Sequence, residues 1–164
     1  MKKITLILCL CCMVWVCSSF ILFPSRAEAV NFPEGYLEFN HVKTYMVGPN
    51  NAAWPKYGGF NHYYANDKAL EGYRTNVFPD GSIIVVDVRE AIDRKGDHAL
   101  GKRKFIDVMV KDSKRYAASG GWGFEEFMEG NKNKPALDDV AKTKCFKCHQ
   151  SRAATEDLVL SKME

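Results

Sequence analysis

Cysteine is scarce in this chain once its first 29 residues are set aside. Four of its six cysteines lie in that stretch, and only Cys145 and Cys148 remain beyond it. A tetrahedral structural zinc site needs four ligands, and no second cysteine pair is present. The three other histidines stand at no recognisable zinc spacing. In an oxidising compartment the remaining thiols must be bridged to each other, bound to a metal or used covalently.

An excess of charge of either sign is also absent. The full chain carries 23 Lys and Arg against 20 Asp and Glu, and removing residues 1–29 takes away Lys2, Lys3, Arg26 and Glu28, which leaves 20 against 19. The sequence has no basic stripe with interleaved aromatic residues. Nucleic acid is therefore not expected as a partner.

The long apolar run is confined to the N-terminus. Residues 1–30 read MKKITLILCLCCMVWVCSSFILFPSRAEAV, with two lysines, an apolar run from Ile4 to about Phe23 and small residues at Ala27 and Ala29. This layout predicts a signal peptide over residues 1–29 and a periplasmic protein. The run is about long enough to span a bilayer, so an uncleaved signal would anchor the protein in the membrane.

Repeats, low-complexity tracts and internal linkers are absent too, so residues 30–164 are expected to form one domain. Its pattern predicts a β-rich α+β fold with five strands and two or three short helices. Residues 93–103 indicate a charged hairpin-like connection, and residues 130–139 an exposed polar loop. The strands are predicted over 40–47, 60–66, 82–88, 104–112 and 122–128, and helices over 67–76, capped by Asn66, and over 138–154.

The two remaining cysteines belong to the motif CFKCH, in which His149 directly follows Cys148. A c-type haem needs two thiols to add to its vinyl groups and an imidazole for the axial position of its iron, and Cys-x-x-Cys-His supplies all three on one turn of chain. A thioredoxin-like dithiol usually follows an early strand, whereas Cys145 lies near the C-terminus. A plain disulfide would leave His149 unexplained. The motif therefore predicts one covalently attached haem c near the C-terminus.

Further segments carry a resemblance when they are taken in order: FPDG at 78–81, VKDSKRYA at 110–117, GGWGFEEF at 120–127 and CFKCH at 145–149. Together they resemble the cytochrome P-460 family, which includes the cytochromes c′-beta, over nearly all of residues 30–164. The resemblance implies an antiparallel sheet, one c-type haem bound through His149, a distal side open to small ligands and often a homodimer.

The resemblance also implies roles for two positions on the sheet. The enzymes of the family oxidise hydroxylamine and carry a lysine, cross-linked to the haem edge, on the strand after FPDG. Val86 stands at the matching place and can form no such link, although it remains an expected haem contact. A family carboxylate on the strand before VKDSKR matches Asp107, which is a candidate distal catalytic residue. Its alternative role is to pair with a nearby Arg or Lys and hold the sheet.

The sixth coordination position of the iron decides between functions. Met109 is the leading second ligand, because strand alternation places it on the same face as Phe105, Asp107 and Lys111; its alternative is a core methionine. Bulky aromatic caps are expected to close the pocket; their alternative role, which must hold for most of them, is to fill the core. The other ligand candidates are Met46, Met128, His41, His62 and His98, and the cap candidates are Phe60, His62, Tyr64, Phe32 and Phe39.

Three functions follow. The first is an exported mono-haem cytochrome that binds or detoxifies small ligands such as NO at a five-coordinate iron. The second is an electron-transfer cytochrome with a Met or His sixth ligand. The third is an oxidoreductase acting on hydroxylamine or nitrogen oxides, with Asp107 as proton acceptor; Val86 disfavours it. The expected partners are a small diatomic or nitrogen-oxide ligand, a periplasmic electron-transfer protein and a second copy of the chain.

Overall fold

The computed structural model describes residues 29–163, which fold around one five-stranded antiparallel sheet. Each strand pairs with the next one in the chain, so the spatial order is the sequence order. The expected β-rich α+β class is confirmed. The predicted signal peptide lies outside the described residues except for Ala29. The strands are β1 Asn40–Val47, β2 Gly59–Ala65, β3 Ile83–Arg94, β4 Asp97–Lys111 and β5 Trp122–Met128.

The helices are short and lie outside the sheet. The longest, α3, carries the CFKCH motif, as the sequence predicts. Among residues 29–163, no helix has both the length and the apolar character needed to cross a membrane. The α-helices are α1 Trp54–Tyr57, α2 Asp67–Thr75 and α3 Asp139–Ala153, and single 3-10 turns span Tyr36–Glu38, Ala117–Ser119 and Ala154–Glu156.

Asn66 caps α2, as predicted. Its Oδ1 accepts hydrogen bonds from the amides of Ala69 and Ile83, both at 3.0 Å, and its Nδ2 donates to the Gly81 carbonyl at 2.9 Å. The Asn66 side chain therefore satisfies a backbone amide in the first turn of α2 and links the helix to the turn before β3. Asn76, at φ 58°, ends the helix.

The prediction of a connection over residues 93–103 is wrong in extent, because both strands continue through it. Arg94 and Asp97 pair with each other across a two-residue turn. Lys95 and Gly96 in that turn have φ of 47° and 107°, which tight hairpin turns require. Most side chains of this end of the hairpin are exposed, so it lacks the apolar alternation that marks a half-buried strand.

The loop over residues 130–139 is exposed, as expected, but it also covers the edge of β5. The Met128 amide donates to the Lys134 carbonyl at 3.0 Å, and the Ala136 amide donates to the Glu126 carbonyl at 2.9 Å. These bonds satisfy backbone groups that an edge strand would otherwise leave open.

The two faces of the sheet bury different clusters. We call the face that carries Ile84, Met109 and Phe124 the cavity face, and α2, α3 and the C-terminal segment pack against it. The N-terminal segment covers the opposite face. That second cluster contains Val30, Tyr36, Val85, Ile106, Val108, Tyr116 and Phe127.

One row of side chains crosses the cavity face from β1 to β5. Register pairs directly opposite each other share a face, so the row follows from the strand pairing. The row, which includes two predicted site residues, consists of Lys43, Tyr63, Val86, Asp107 and Glu126.

Candidate functional site

A cavity of about 540 Å³ lies between the cavity face, α3 and the loop that leads into α1. Its size falls within the roughly 300–1,000 Å³ that small-molecule and cofactor sites occupy. The structure brings six of the predicted site residues together along its walls: Val86, Asp107, Met109, Cys145, Cys148 and His149.

The helix α3 presents the two thiols. The Asp138 side chain caps its start by accepting from the Ala141 amide at 2.7 Å. Cys145 and Cys148 lie three residues apart, so they emerge on one side of the helix. Both are free thiols; Cys145 is half-buried and Cys148 is exposed. Burial raises the pKa of Cys145, and the nearby Asp107 raises it further, so this thiol is protonated.

A second anchor fixes the start of α3 to β5. Lys142 forms an ion pair with Glu125 at 3.1 Å, and both side chains are largely buried. The other oxygen of Glu125 accepts from the Leu137 amide at 2.9 Å. The helix is thereby held against the sheet one turn before the first cysteine.

His149 is held on two sides. Its Nδ1 lies 2.7 Å from the Leu158 carbonyl oxygen, and its ring meets the Phe124 ring edge to face with centroids 5.1 Å apart. A carbonyl can only accept, so Nδ1 carries the proton and Nε2 keeps the lone pair that a metal ligand needs. Burial lowers the pKa of His149, which favours the neutral imidazole.

Asp107 lies in the cavity wall and is hydrogen-bonded there. The Tyr57 hydroxyl donates to its Oδ2 at 2.6 Å. Burial raises the pKa of Asp107 to about 7, while Lys56 and the Tyr57 hydrogen bond act in the opposite direction. Burial, followed by the charge of Asp107, raises the pKa of Tyr57, so its phenol keeps its proton. The carboxyl group can thus change protonation state near neutral pH while Tyr57 remains a donor.

Two acidic side chains meet in this wall. Glu126 is the cross-strand neighbour of Asp107, and its negative charge also raises the pKa of Asp107. Lys56, which is half-exposed, pairs with the Glu126 carboxylate at 2.6 Å. The sequence pointed to neither Glu126 nor Tyr57. Alternation along β5 could have placed Glu126 on the face of Phe124, whereas Tyr57 ends the one-turn helix α1, which is too short to show a pattern.

The other predicted iron ligands lie away from the cavity. His62 is on the opposite face, where its Nδ1 lies 2.7 Å from Thr44 Oγ1, which is also 2.7 Å from His41 Nε2. His98 is exposed at the end of the β3–β4 hairpin. Met46 and Met128 are each 40 % exposed. Met109 alone of these candidates lines the cavity.

The expectation about the aromatic caps is wrong. Phe32, Phe39 and Tyr64 pack in the cluster on the opposite face, and Phe60 stacks on His62 there. The sheet register, which sequence alone does not give, decides which face meets the cavity. Tyrosines line it instead: Tyr45, Tyr57 and Tyr63.

Two of these tyrosines form a pair beside a lysine. The rings of Tyr45 and Tyr63 stack with centroids 5.6 Å apart, and their hydroxyl groups lie 3.0 Å from each other. The Lys43 ammonium lies 5.8 Å and 5.7 Å from the two ring centroids. A cation over two rings stabilises the pair.

The residues present fit the haem that the motif predicts. Two thiols on one side of α3, an imidazole with an available Nε2 and a largely apolar cavity are the donor set and surroundings that such a group needs. The apolar walls include Ile84, Val86, Met109, Phe124, Leu137, Val159 and Leu160.

Comparison with known proteins gives one family. No curated protein matches the chain. The sequence profile described as Cytochrome P460 matches residues 33–161, which span all five strands and the CFKCH motif. That range covers most of the chain and contains the whole cavity, so this haem-binding protein belongs to the cytochrome P460 family.

Proposed function

We propose that the protein is an exported mono-haem c-type cytochrome that binds or detoxifies small nitrogen oxides such as NO. In this proposal Cys145 and Cys148 attach the haem and His149 Nε2 binds its iron. The bound haem supplies an iron centre that takes up small ligands and exchanges electrons. The chain supplies the attachment, the axial imidazole and the walls around the ligand.

The observation that carries this proposal is the composition of the cavity wall. Among the described residues that line the cavity, His149 is the single histidine and Met109 the single methionine. A haem with one protein ligand keeps a position for a gas, whereas a haem with two mainly transfers electrons.

Met109 is poorly placed to be that second ligand. It pairs in the sheet with Phe124, and the Phe124 ring contacts the His149 imidazole. A sixth ligand must approach from the side of the haem opposite the imidazole. Met109 is also packed in the apolar cluster with Trp122 and Ile84. These contacts favour its alternative role as a core residue.

The walls favour small ligands with little charge. Val86 offers only an apolar surface, and three tyrosine rings line the cavity. Asp107 adds one group that can hold or release a proton near neutral pH, at Oδ1 or Oδ2. Protonated, it can donate a hydrogen bond or a proton to a bound nitrogen oxide.

Asp107 also favours a second candidate, the oxidation of hydroxylamine or a related nitrogen compound. A carboxylate in the cavity wall could accept a proton from such a substrate. Val86 argues against it, because valine has no nitrogen with which to form the lysine cross-link that the family resemblance implies. Turnover of hydroxylamine with an electron acceptor would establish this activity, and its absence would leave ligand binding.

Three further proposals concern the location of the protein, its electron-transfer partner and its oligomeric state. Export to the periplasm rests on the signal-like residues 1–29, and an electron-transfer partner there rests on the redox nature of a haem. A homodimer rests on the family resemblance. Light scattering of the purified protein would give the oligomeric state, and the N-terminal sequence of the protein from the periplasm would show whether the signal is removed.

A variant at Met109 tests the open sixth position. Met109→Leu conserves volume and shape, so a core role predicts an unchanged visible spectrum in both oxidation states. If Met109 binds the iron, the substitution will convert a low-spin spectrum to a high-spin one. That conversion would establish the electron-transfer function in place of ligand binding.

A further inference from the structure

The carbonyl group that meets His149 belongs to an unusual turn. Asp157 and Leu158 have φ of 48° and 66°, and neither is glycine. Side chains rarely adopt this left-handed region, and consecutive residues do so only where the surroundings hold them. This conformation directs the Leu158 carbonyl to within 2.7 Å of His149 Nδ1.

Asp157 is the residue that holds the turn. Its Oδ1 pairs with Lys111 Nζ at 2.6 Å, and its Oδ2 accepts from the Phe78 amide at 2.9 Å. Its carbonyl accepts from Trp122 Nε1 at 2.7 Å. The next amide, of Leu158, donates to the Ala153 carbonyl at 2.8 Å at the end of α3. The turn is therefore fastened to four separate parts of the fold: β4, the segment before β3, β5 and the end of α3.

Lys111 is buried to reach this carboxylate, with 9 % of the residue exposed. It stands at the end of β4, on the face that carries Asp107 and Met109, with its ammonium 5.1 Å from the Trp122 ring centroid. It also donates to the Gly120 carbonyl at 3.2 Å. A buried ion pair adds little net stability compared with apolar residues of the same volume. Its position beside the turn therefore suggests a role other than stability.

We propose that the Lys111–Asp157 ion pair is a positioning device for the axial histidine. By fixing the turn, the ion pair holds the Leu158 carbonyl oxygen in a hydrogen bond with the Nδ1 proton of His149. It thereby sets the orientation of the ring and increases the basicity of Nε2, as hydrogen bonds to the second nitrogen of a ligating histidine do. This inference rests on the proposed role of His149 as the iron ligand.

Loss of the Lys111–Asp157 ion pair is expected to lengthen the hydrogen bond between His149 Nδ1–H and the Leu158 carbonyl. A longer Nδ1–H···O bond makes the imidazole a weaker donor. The iron–histidine stretching band of the ferrous protein then moves to lower frequency. The reduction potential rises, because the weaker donor stabilises the ferric state less.

The test is resonance Raman spectroscopy and redox titration of the haem-loaded protein in three variants. Lys111→Met and Asp157→Asn each remove one charge, and Lys111→Arg keeps it. Arg103→Met is the matched control, because it removes a largely buried cation from another carboxylate, Asp87, which contacts Tyr36 of the cluster on the opposite face and lies away from the turn. The two charge-removing variants are expected to lower the band and raise the potential, whereas Lys111→Arg and Arg103→Met keep both near the wild-type values.

Poor folding of one single variant does not prevent the test. If a single variant accumulates poorly, the double variant K111M/D157N removes both buried charges and still predicts the shifted band. Unshifted bands in the folded variants, or an equal shift in Arg103→Met, would overturn the positioning role. A wild-type ferrous protein with no iron–histidine band at all would instead overturn the proposed five-coordinate iron with His149 as its one protein ligand.

Discussion

Asp107 is the residue whose protonation matters most in the cavity. Burial raises its pKa from the ordinary aspartate value of 3.8 to about 7. A group whose pKa is raised on folding contributes stability that is fully present below the unfolded value and is lost as the pH rises through the folded value. The Asp107 contribution therefore declines between about pH 4 and pH 7.

Asp107→Asn is expected to remove this decline. The amide keeps an oxygen that can accept from Tyr57 and cannot ionise, so the variant should gain stability relative to wild type as the pH rises from 4 to 8. Denaturant unfolding at several pH values measures the difference. Asp93→Asn, at an exposed position of β3, is the control. A wild-type–variant difference that stays constant with pH would contradict the assignment of a raised pKa.

The two cysteines give a test of the covalent attachment. Wild-type protein is expected to retain its haem through extraction with acidified organic solvent and to gain the mass of one haem. The double variant C145S/C148S should release all of its haem, since serine forms no thioether. Haem that is extracted from the wild type, or retained by the double variant, would contradict the proposal.

At the scale of single elements, the cap of α2 offers a stability test remote from the cavity. Asn66→Ala removes the helix cap and the bonds to Ile83 and Gly81, and is expected to cost about 1–2 kcal/mol. Asn66→Asp keeps the accepting oxygen and should cost less. Chemical denaturation measures both, and the haem spectrum should stay the same. A loss for Asn66→Asp as large as that for Asn66→Ala would show that the accepting oxygen is not the important group.

Elements with strong apolar alternation were predictable from the sequence. Three elements lie where the sequence pattern predicts them. They are the strand that begins with IIVV, the strand that contains KFIDVMVKD and the helix that Asn66 caps. The exposed half of the β3–β4 hairpin was not predictable from the sequence, because neither of its faces is buried and its residues therefore show no apolar alternation. The one-turn helix α1 in the loop at residues 48–59 was also not predictable, since four residues leave no periodicity.

Two kinds of site residue were predictable: those that are neighbours in one sequence motif, and those that lie on strands whose side chains alternate between faces. The pattern placed Asp107 and Met109 on one face, and they share the cavity face. Which tyrosines line the cavity depends on the register of β1 and β2. The Tyr57–Asp107 hydrogen bond joins residues 50 positions apart. No local sequence signal marks such a contact.

At the scale of the whole molecule, the sheet separates a structural face from the cavity face. Phe127 lies in the opposite cluster, 3 % exposed, and Phe124 lies against His149, 5 % exposed. Either Phe→Ala substitution is expected to cost about 3–5 kcal/mol of unfolding free energy. Only Phe124→Ala should also change the visible spectrum, because it removes the support of the imidazole.

Denaturant unfolding and absorption spectra of the two variants provide this comparison. An altered spectrum in Phe127→Ala would mean that the two faces are coupled. An unaltered spectrum in Phe124→Ala would mean that the Phe124 ring does not support the axial ligand.

In the proposed function, one side of the haem is open to small ligands. The most direct measurement is the absorption spectrum of the reduced, haem-loaded protein before and after addition of carbon monoxide. An open side predicts a high-spin ferrous spectrum that changes on adding the gas. A low-spin ferrous spectrum that carbon monoxide leaves unchanged would contradict it, and would indicate a second protein ligand on the iron.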